Sequence, residues 1–310
     1  MSHSIAGSEP EPNGFLVLVD QATRIHFLDW GAPPAAEGPG PSVLLVHGLR
    51  GTGWVWGPVA RRLARHHHVA AMDLRGHGLS DAPTHGYDLE GQAGDALAVA
   101  EGAGLLDEGA AVVIAGHGFG AMVAAELARR LGQRCAGLVL VDGGWEAVAE
   151  STGLEPGELL RGLEEPPEIL RTMAAYLADR AAFDPATWDD HQERIARAAV
   201  VELPAGRVVP VTRPHVLEAC VMAMYVYRPG LSLAAVSAPI AALIAADDEA
   251  GNRRIALRGV QAALRSAGRP VMAVVDLPEA GHNLMRYRPE AVAAAIETVV
   301  DGQPAYHPEP

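Results

Sequence analysis

Short apolar runs alternate along this chain with longer segments in which apolar residues recur at helical spacing. The uninterrupted apolar runs predict buried strands, and they lie at 42–46, 68–73, 110–115, 136–141, 239–245 and 271–275. Helical spacing predicts helices over 54–65, 89–104, 121–131 and 289–300. Two earlier strands, 15–19 and 24–29, flank a short turn and predict an edge hairpin. The alternation of strand and helix predicts one α/β domain built on a mostly parallel sheet.

The alternation stops between residues 145 and 236, where helical patterns follow one another without strands between them. Prolines interrupt these patterns, at Pro166, Pro167, Pro185, Pro204, Pro210, Pro214 and Pro229. The segment also carries nine large aromatic and methionine side chains: Trp145, Met173, Tyr176, Phe183, Trp188, Met222, Met224, Tyr225 and Tyr227. Together these side chains predict an apolar cleft in or beneath a helical insertion.

The sharpest local feature is the turn between the strand at 110–115 and the helix at 121–131. Gly116, Gly118 and Gly120 stand in alternate positions of this turn. Glycine permits strained backbone angles and close packing of strand on helix, so the central residue of such a turn is held out above the sheet edge.

This turn resembles the Gly-x-Ser-x-Gly nucleophile elbow of the α/β-hydrolase fold superfamily, with Gly118 at the place of the serine. The segment His47-Gly48-Leu49 resembles the oxyanion loop of the same superfamily. The resemblance implies that the backbone N–H groups of Leu49 and Phe119 bind the negative oxygen of a tetrahedral intermediate. The segment 73–81, Asp-Leu-Arg-Gly-His-Gly-Leu-Ser-Asp, resembles a structural loop found beside the site in several of its families.

The resemblance also implies an acid and a base downstream of the elbow. Asp248 follows the strand at 239–245 and takes the place of the triad acid, with Asp247 as the alternative. His282, in Gly281-His282 after the last strand, takes the place of the general base. The resemblance predicts a hydrolase core at 1–144 and 237–310, with a helical cap at 145–236.

Composition limits the kinds of molecule that the protein is expected to bind and the kinds of catalysis that it can perform. The formal net charge is −14, which disfavours binding to nucleic acid or to anionic membranes and favours a small apolar organic substrate. All 24 basic residues are arginine, so catalysis through a lysine Schiff base is excluded. The adjacent histidines at 66–68 lack the spacing of metal ligands, and no cofactor is expected.

Two further expectations concern the location of the protein. The two cysteines, Cys135 and Cys220, are expected to be reduced and buried. The chain begins without a signal peptide and has no apolar run long enough to span a bilayer, which predicts a cytoplasmic, soluble protein.

Three hypotheses for function follow from the glycine at position 118. The first is a serine hydrolase for a small to medium ester, lactone or thioester, present here without its nucleophile. The second is an enzyme that needs no nucleophile, such as a lyase, cyclase or hydratase, in which the histidine and its acid move protons directly. The third is a ligand-binding protein that retains the site without its chemistry.

Overall fold

The computed structural model describes residues 10–33, 40–164, 171–245, 251–278 and 280–301. The strands are β1 Asn13–Leu18, β2 Arg24–Asp29, β3 Ser42–Val46, β4 Val69–Met72, β5 Val112–His117, β6 Cys135–Val141, β7 Val200–Glu202, β8 Val208–Pro210, β9 Ile240–Ala245 and β10 Ala273–Leu277. The α-helices outside the predicted cap are α1 Gly57–Leu63, α2 Leu89–Gly102, α3 Phe119–Leu131, α10 Asn252–Ser266, α11 Leu284–Tyr287 and α12 Pro289–Val300. Between β6 and β9 lie α4 Val148–Thr152, α5 Pro156–Gly162, α6 Met173–Phe183, α7 Asp190–Ala198, α8 Pro214–Val226 and α9 Pro229–Ala234.

Eight strands form one sheet in the order β1-β2-β4-β3-β5-β6-β9-β10. The pairs β1–β2 and β2–β4 are antiparallel, and every other neighbouring pair is parallel. This arrangement confirms the predicted α/β architecture with a mostly parallel sheet. Because the carboxyl ends of parallel strands meet at one edge, the loops after β3, β5, β6, β9 and β10 are brought to the same side of the sheet.

Both faces of the sheet are covered by helices, which explains why the central strands read as continuous apolar runs. In β3, Leu44 and Val46 pack into one core layer with α2, α3 and α10, while Val43 and Leu45 pack into the other with α1 and α12. These four side chains are fully buried.

Several predicted boundaries shift where tertiary contacts decide them. The helix after the elbow starts at Phe119 rather than at 121, and the last strand spans Ala273–Leu277 rather than 271–275. The two-stranded sheet formed by β7 and β8 was not predicted, because strands of three residues are too short to show a period. The division of the chain into core and cap stays a prediction.

Cys135 and Cys220 are both buried free thiols, and burial raises the pKa of each to about 12. Within the described ranges, no helix combines the length and the apolar character that crossing a bilayer requires.

Candidate active site

The turn between β5 and α3 has the backbone of a nucleophile elbow. Gly118 adopts φ 53° and ψ −117°, a conformation that residues with a side chain rarely take. A Cβ added at Gly116 would lie 2.3 Å from the carbonyl oxygen of Gly120, and one at Gly120 would lie 2.3 Å from that of His47. The two outer glycines are therefore required by close packing, as the sequence pattern predicts.

Position 118 faces the ring of His282. A Cβ added at Gly118 would lie 3.4 Å from Nε2 of His282, which is ordinary van der Waals contact. The Cβ of a side chain at this position would thus contact the ring of His282 without a clash. His282 itself lies in the loop between β10 and α11, and 58% of its side chain is exposed.

The carboxylate partner of His282 is Asp142, the residue that follows β6. Oδ2 of Asp142 lies 2.6 Å from Nδ1 of His282. An ionised carboxylate only accepts hydrogen bonds, so Nδ1 carries the proton and Nε2 keeps its lone pair toward position 118. This is the orientation that a general base requires.

Asp142 is held rigidly at the end of its strand. Its side chain is fully buried, and its backbone has φ 48°, which turns the chain sharply out of the sheet. Oδ1 accepts from the backbone N–H of Ala245 at 2.9 Å and from Nη1 of Arg253 at 2.8 Å. Burial by itself raises the pKa of Asp142, but the hydrogen bond from His282 and the charge of Arg253 outweigh it, and the pKa lies below its usual value.

The predicted acid, Asp248, and its alternative, Asp247, lie outside the described residues, so their role stays a prediction. The sequence analysis assigned no role to Asp142, which directly follows the predicted strand at 136–141. A usable signal was present, because Asp142 follows the strand next to the elbow strand and the carboxyl ends of both meet at one edge of the sheet.

The predicted oxyanion donors, Leu49 and Phe119, come from the loop after β3 and from the first turn of α3. Among the described residues, neither backbone N–H has a hydrogen-bond acceptor. Both residues line the cavity that Gly118 and His282 also line. Two backbone donors at the reaction centre suit an oxygen that becomes negative during a reaction.

A buried, neutral His47 ties the loop after β3 to its surroundings. Its Nδ1 donates to the carbonyl oxygen of Gly48 at 2.7 Å, and its Nε2 accepts from the backbone N–H of Leu74 at 2.9 Å. Burial lowers the pKa of His47, which keeps this arrangement of donor and acceptor. The loop that carries Leu49 is therefore anchored to the segment 73–81.

His117 supports the loop that carries His282. Its Nε2 donates to the carbonyl oxygen of His282 at 2.9 Å, and the two ring centroids are 4.4 Å apart. Burial, together with the nearby His282, lowers the pKa of His117 to about 3, so its ring stays neutral. A second charge beside the base is thereby avoided.

Two cavities meet at the wall formed by Leu49, His117 and His282. The larger is about 710 Å³ and is walled mainly by apolar groups, with Met122, Val148, Leu159, Leu163 and Met224 among them. The smaller is about 340 Å³ and is more polar, with Arg50, Tyr176, Arg180, Trp188, Gln192 and Arg286 among its lining residues. Four of the nine large side chains noted in the predicted cap line a cavity: Tyr176, Phe183, Trp188 and Met224.

The hydroxyl groups in the larger cavity are engaged elsewhere. Ser151 Oγ donates to the carbonyl oxygen of Ala147, and Thr152 Oγ1 donates to that of Val148, each at 2.8 Å. Among the described residues lining this cavity, none therefore supplies an activated hydroxyl or thiol in place of the missing serine.

Comparison with curated proteins finds relatives that match part of the chain. The 2-(acetamidomethylene)succinate hydrolase of Mesorhizobium japonicum is 30% identical over 145 residues, 46% of this chain and 50% of that protein. The N-formylmaleamate deformylase of Pseudomonas putida is 32% identical over 143 residues, 46% of this chain and 47% of that protein. The chain thus matches about half the length of these curated relatives.

Solved structures show the same fold at low sequence identity. The crystal structure of E-2-(acetamidomethylene)succinate hydrolase superposes with a TM-score of 0.72 at 21% identity, covering 94% of this chain and 99% of that one. The thioesterase domain from the curacin biosynthetic pathway superposes with a TM-score of 0.69 at 21% identity, covering 93% and 99%. A sequence model of the Alpha/beta hydrolase family matches residues 43–295. With this match over most of its length, the chain belongs to the alpha/beta hydrolase family.

Proposed function

We propose that this protein is a hydrolase for a small to medium apolar ester, lactone or thioester. Position 118 is the site of the nucleophile in this proposal. The observation that carries the proposal is the pairing of His282 Nδ1 with Asp142 at 2.6 Å while Nε2 faces position 118. This arrangement suits a histidine that accepts a proton from a group at position 118. The relatives named as a hydrolase and a deformylase support hydrolytic chemistry.

In the proposed mechanism, His282 accepts the proton of a nucleophile that attacks the substrate carbonyl carbon. Asp142 orients the ring and stabilises the imidazolium that forms. The carbonyl oxygen becomes negative and accepts hydrogen bonds from the N–H groups of Leu49 and Phe119. The imidazolium then returns the proton to the leaving group as the tetrahedral intermediate collapses. Where the nucleophile is a side chain at position 118, a water deprotonated by His282 then attacks the acyl group, and the proton returns to that side chain as the acid product leaves.

Gly118 provides no attacking atom, so the present chain lacks the nucleophile of the acyl-enzyme route. The absence of a side chain beside Nε2 favours a second candidate, in which His282 deprotonates a water or a substrate C–H directly. In enzymes that lose a triad member, the remaining groups still accelerate hydrolysis by about 10³- to 10⁴-fold over water. That residual rate comes from binding and the oxyanion donors and would not depend on His282, whereas the direct route predicts slow turnover that does depend on His282.

The predicted cap supplies the substrate-facing wall in this proposal. Val148 and Met224 border the larger cavity, and Tyr176 and Trp188 border the smaller one. We assign the larger cavity to the apolar part of the substrate because its walls are mainly apolar.

The test compares the protein as it stands with Gly118→Ser and Gly118→Ala on short aryl esters, lactones and thioesters. Gly118→Ala is the matched control, because it carries the same Cβ without the hydroxyl. We expect Gly118→Ser to raise kcat by about 10³-fold or more, and His282→Ala or Asp142→Asn to remove most of that gain.

Two other outcomes separate the alternatives. Turnover by the Gly118 protein that requires His282 and does not rise with serine would replace the nucleophilic route by direct proton transfer. No turnover by any of these forms, with tight binding of an apolar ligand, would favour a ligand-binding protein.

A further inference from the structure

Arg253 makes direct contact with the acid of the candidate dyad. It lies in the first turn of α10, and its Nη1 donates to Oδ1 of Asp142 at 2.8 Å. The other carboxylate oxygen of Asp142 accepts from His282. One carboxylate is thus shared between a permanent cation and the base.

The guanidinium of Arg253 is itself fixed by two further groups. Its Nε donates to Oε1 of Glu146 at 2.5 Å, and its Cζ lies 5.1 Å from the ring centroid of Trp145. Only 18% of its side chain is exposed, and both Arg253 and Glu146 line the larger cavity. The planar fork of an arginine can serve two carboxylates from neighbouring nitrogens, which a lysine ammonium cannot reproduce with the same geometry.

We propose that Arg253 is a positioning residue that shares the Asp142 carboxylate with His282 and thereby limits how strongly that carboxylate stabilises the imidazolium. If Asp142 interacted with His282 and with no cation, its full negative charge would stabilise the imidazolium and raise the pKa of the ring. Arg253 offsets part of that charge, so less stabilisation reaches the ring. A neutral imidazole at neutral pH is the form that can accept a proton.

Other charged and titratable groups lie near His282, but among the described residues Arg253 is the cation that binds its carboxylate partner. His117, at the end of β5, is neutral because burial keeps its pKa near 3. Glu146 accepts from Nε of Arg253, whereas Asp142 accepts from Nη1. The remaining cations border the smaller cavity, which His282 also lines: Arg50, Arg180 and Arg286. Of the described residues, Arg253 and the backbone N–H of Ala245 are the groups that donate to Oδ1 of Asp142.

The proposal rests on the proposed function only for the use of His282 as the base, and its test needs no turnover. The full chain is labelled with ¹³C-histidine, and the pKa of His282 is read from the pH dependence of its Cε1–H signal, assigned by its loss in His282→Asn. We expect Arg253→Met to raise this pKa by about one unit or more, and Arg253→Lys to give an intermediate value. Arg254→Met is the matched control, because Arg254 lies on the same helix but pairs with Asp276 at the surface, and it should leave the pKa unchanged.

A second pair of variants tests whether the effect passes through the carboxylate. In an Asp142→Asn background, Arg253→Met should change the pKa of His282 by much less than it does alone. An unchanged pKa in Arg253→Met, or an equal rise with and without Asp142, overturns the proposal. Should Arg253→Met leave Glu146 unpaired and the chain unfolded, Arg253→Met with Glu146→Gln removes that buried charge and gives the same reading. Inactivity of Gly118→Ser would contradict the proposed function without touching this result.

Discussion

The elbow glycine allows a quantitative test of backbone strain at the site. Gly118 and Gly132 share nearly the same dihedral angles, φ 53° and ψ −117° at one and φ 56° and ψ −117° at the other. A Cβ at Gly132 would meet no atom within 4 Å, whereas a Cβ at Gly118 would meet the ring of His282 at 3.4 Å. Gly132→Ala therefore measures the backbone cost alone, and Gly118→Ala measures the same cost in contact with the base.

Residues forced into such sparsely populated angles cost of order 1–3 kcal/mol. Replacing glycine by alanine also restricts the unfolded chain, which stabilises the folded state by about 0.4–1 kcal/mol. We therefore expect each substitution to lower the free energy of unfolding by about 1–2 kcal/mol. Because the contact with His282 is ordinary van der Waals contact, the two losses should agree within about 1 kcal/mol.

Urea denaturation followed by circular dichroism gives both values, with equal slopes indicating that the unfolded states are comparable. A loss at Gly132 without a loss at Gly118 would refute the reasoning, because it would mean that the elbow relaxes to accept a side chain. A loss at Gly118 several kcal/mol greater than at Gly132 would also refute it, because His282 would then have to leave Asp142.

Three further predictions concern the core, the pH dependence of stability and the larger cavity. Asp95→Asn should lower the free energy of unfolding, measured by urea denaturation, by about 3–5 kcal/mol. The reason is that Asp95 accepts two hydrogen bonds from the buried Arg75, at 2.7 and 2.6 Å. A loss below about 1 kcal/mol would contradict this. Burial lowers the pKa of His77 to about 3, so the unfolded chain binds a proton that the folded chain does not. The free energy of unfolding should therefore fall as the pH drops from about 6.5 toward 3, by up to about 1.4 kcal/mol per pH unit from this group, and His77→Gln should reduce that slope measurably. In the Gly118→Ser background, Met224→Trp should lower kcat/KM for long acyl chains about tenfold relative to acetyl esters. The reason is that Met224 lines the larger cavity, where the added volume would exclude a long chain. Met222→Trp, on the exposed side of the same helix, is the control and should leave the ratio unchanged.

Patterns local in the chain were sufficient for the fold and for part of the site. Buried parallel strands are apolar on both faces, so each central strand is visible as an uninterrupted run. The elbow is visible because only glycine fits the close contacts at 116 and 120. The prediction for His282 came from the resemblance of Gly281-His282 to the histidine loop of the superfamily, and in the structure its ring faces position 118.

The tertiary structure decided which groups act together. Asp142 and His282 are 140 positions apart, and nothing in the local pattern distinguishes an aspartate that ends a strand from one that orients a histidine. Their contact depends on the order of strands in the sheet, on the left-handed turn at Asp142 and on the position of α10, which brings Arg253 to the same carboxylate.

The amino-acid sequence by itself therefore determined the α/β architecture and the elbow at 116–120, because both follow from short-range backbone and burial requirements. The small sheet of β7 and β8 joins neighbouring segments, but its strands of three residues are too short to show a period. The Asp142–Arg253 pairing and the two cavities that share His282 as a lining residue depend on contacts between residues far apart in the chain. Such contacts form only after the sheet has assembled. The free energy of each polar contact depends on how far the surrounding residues bury it from water, which the assembled fold decides.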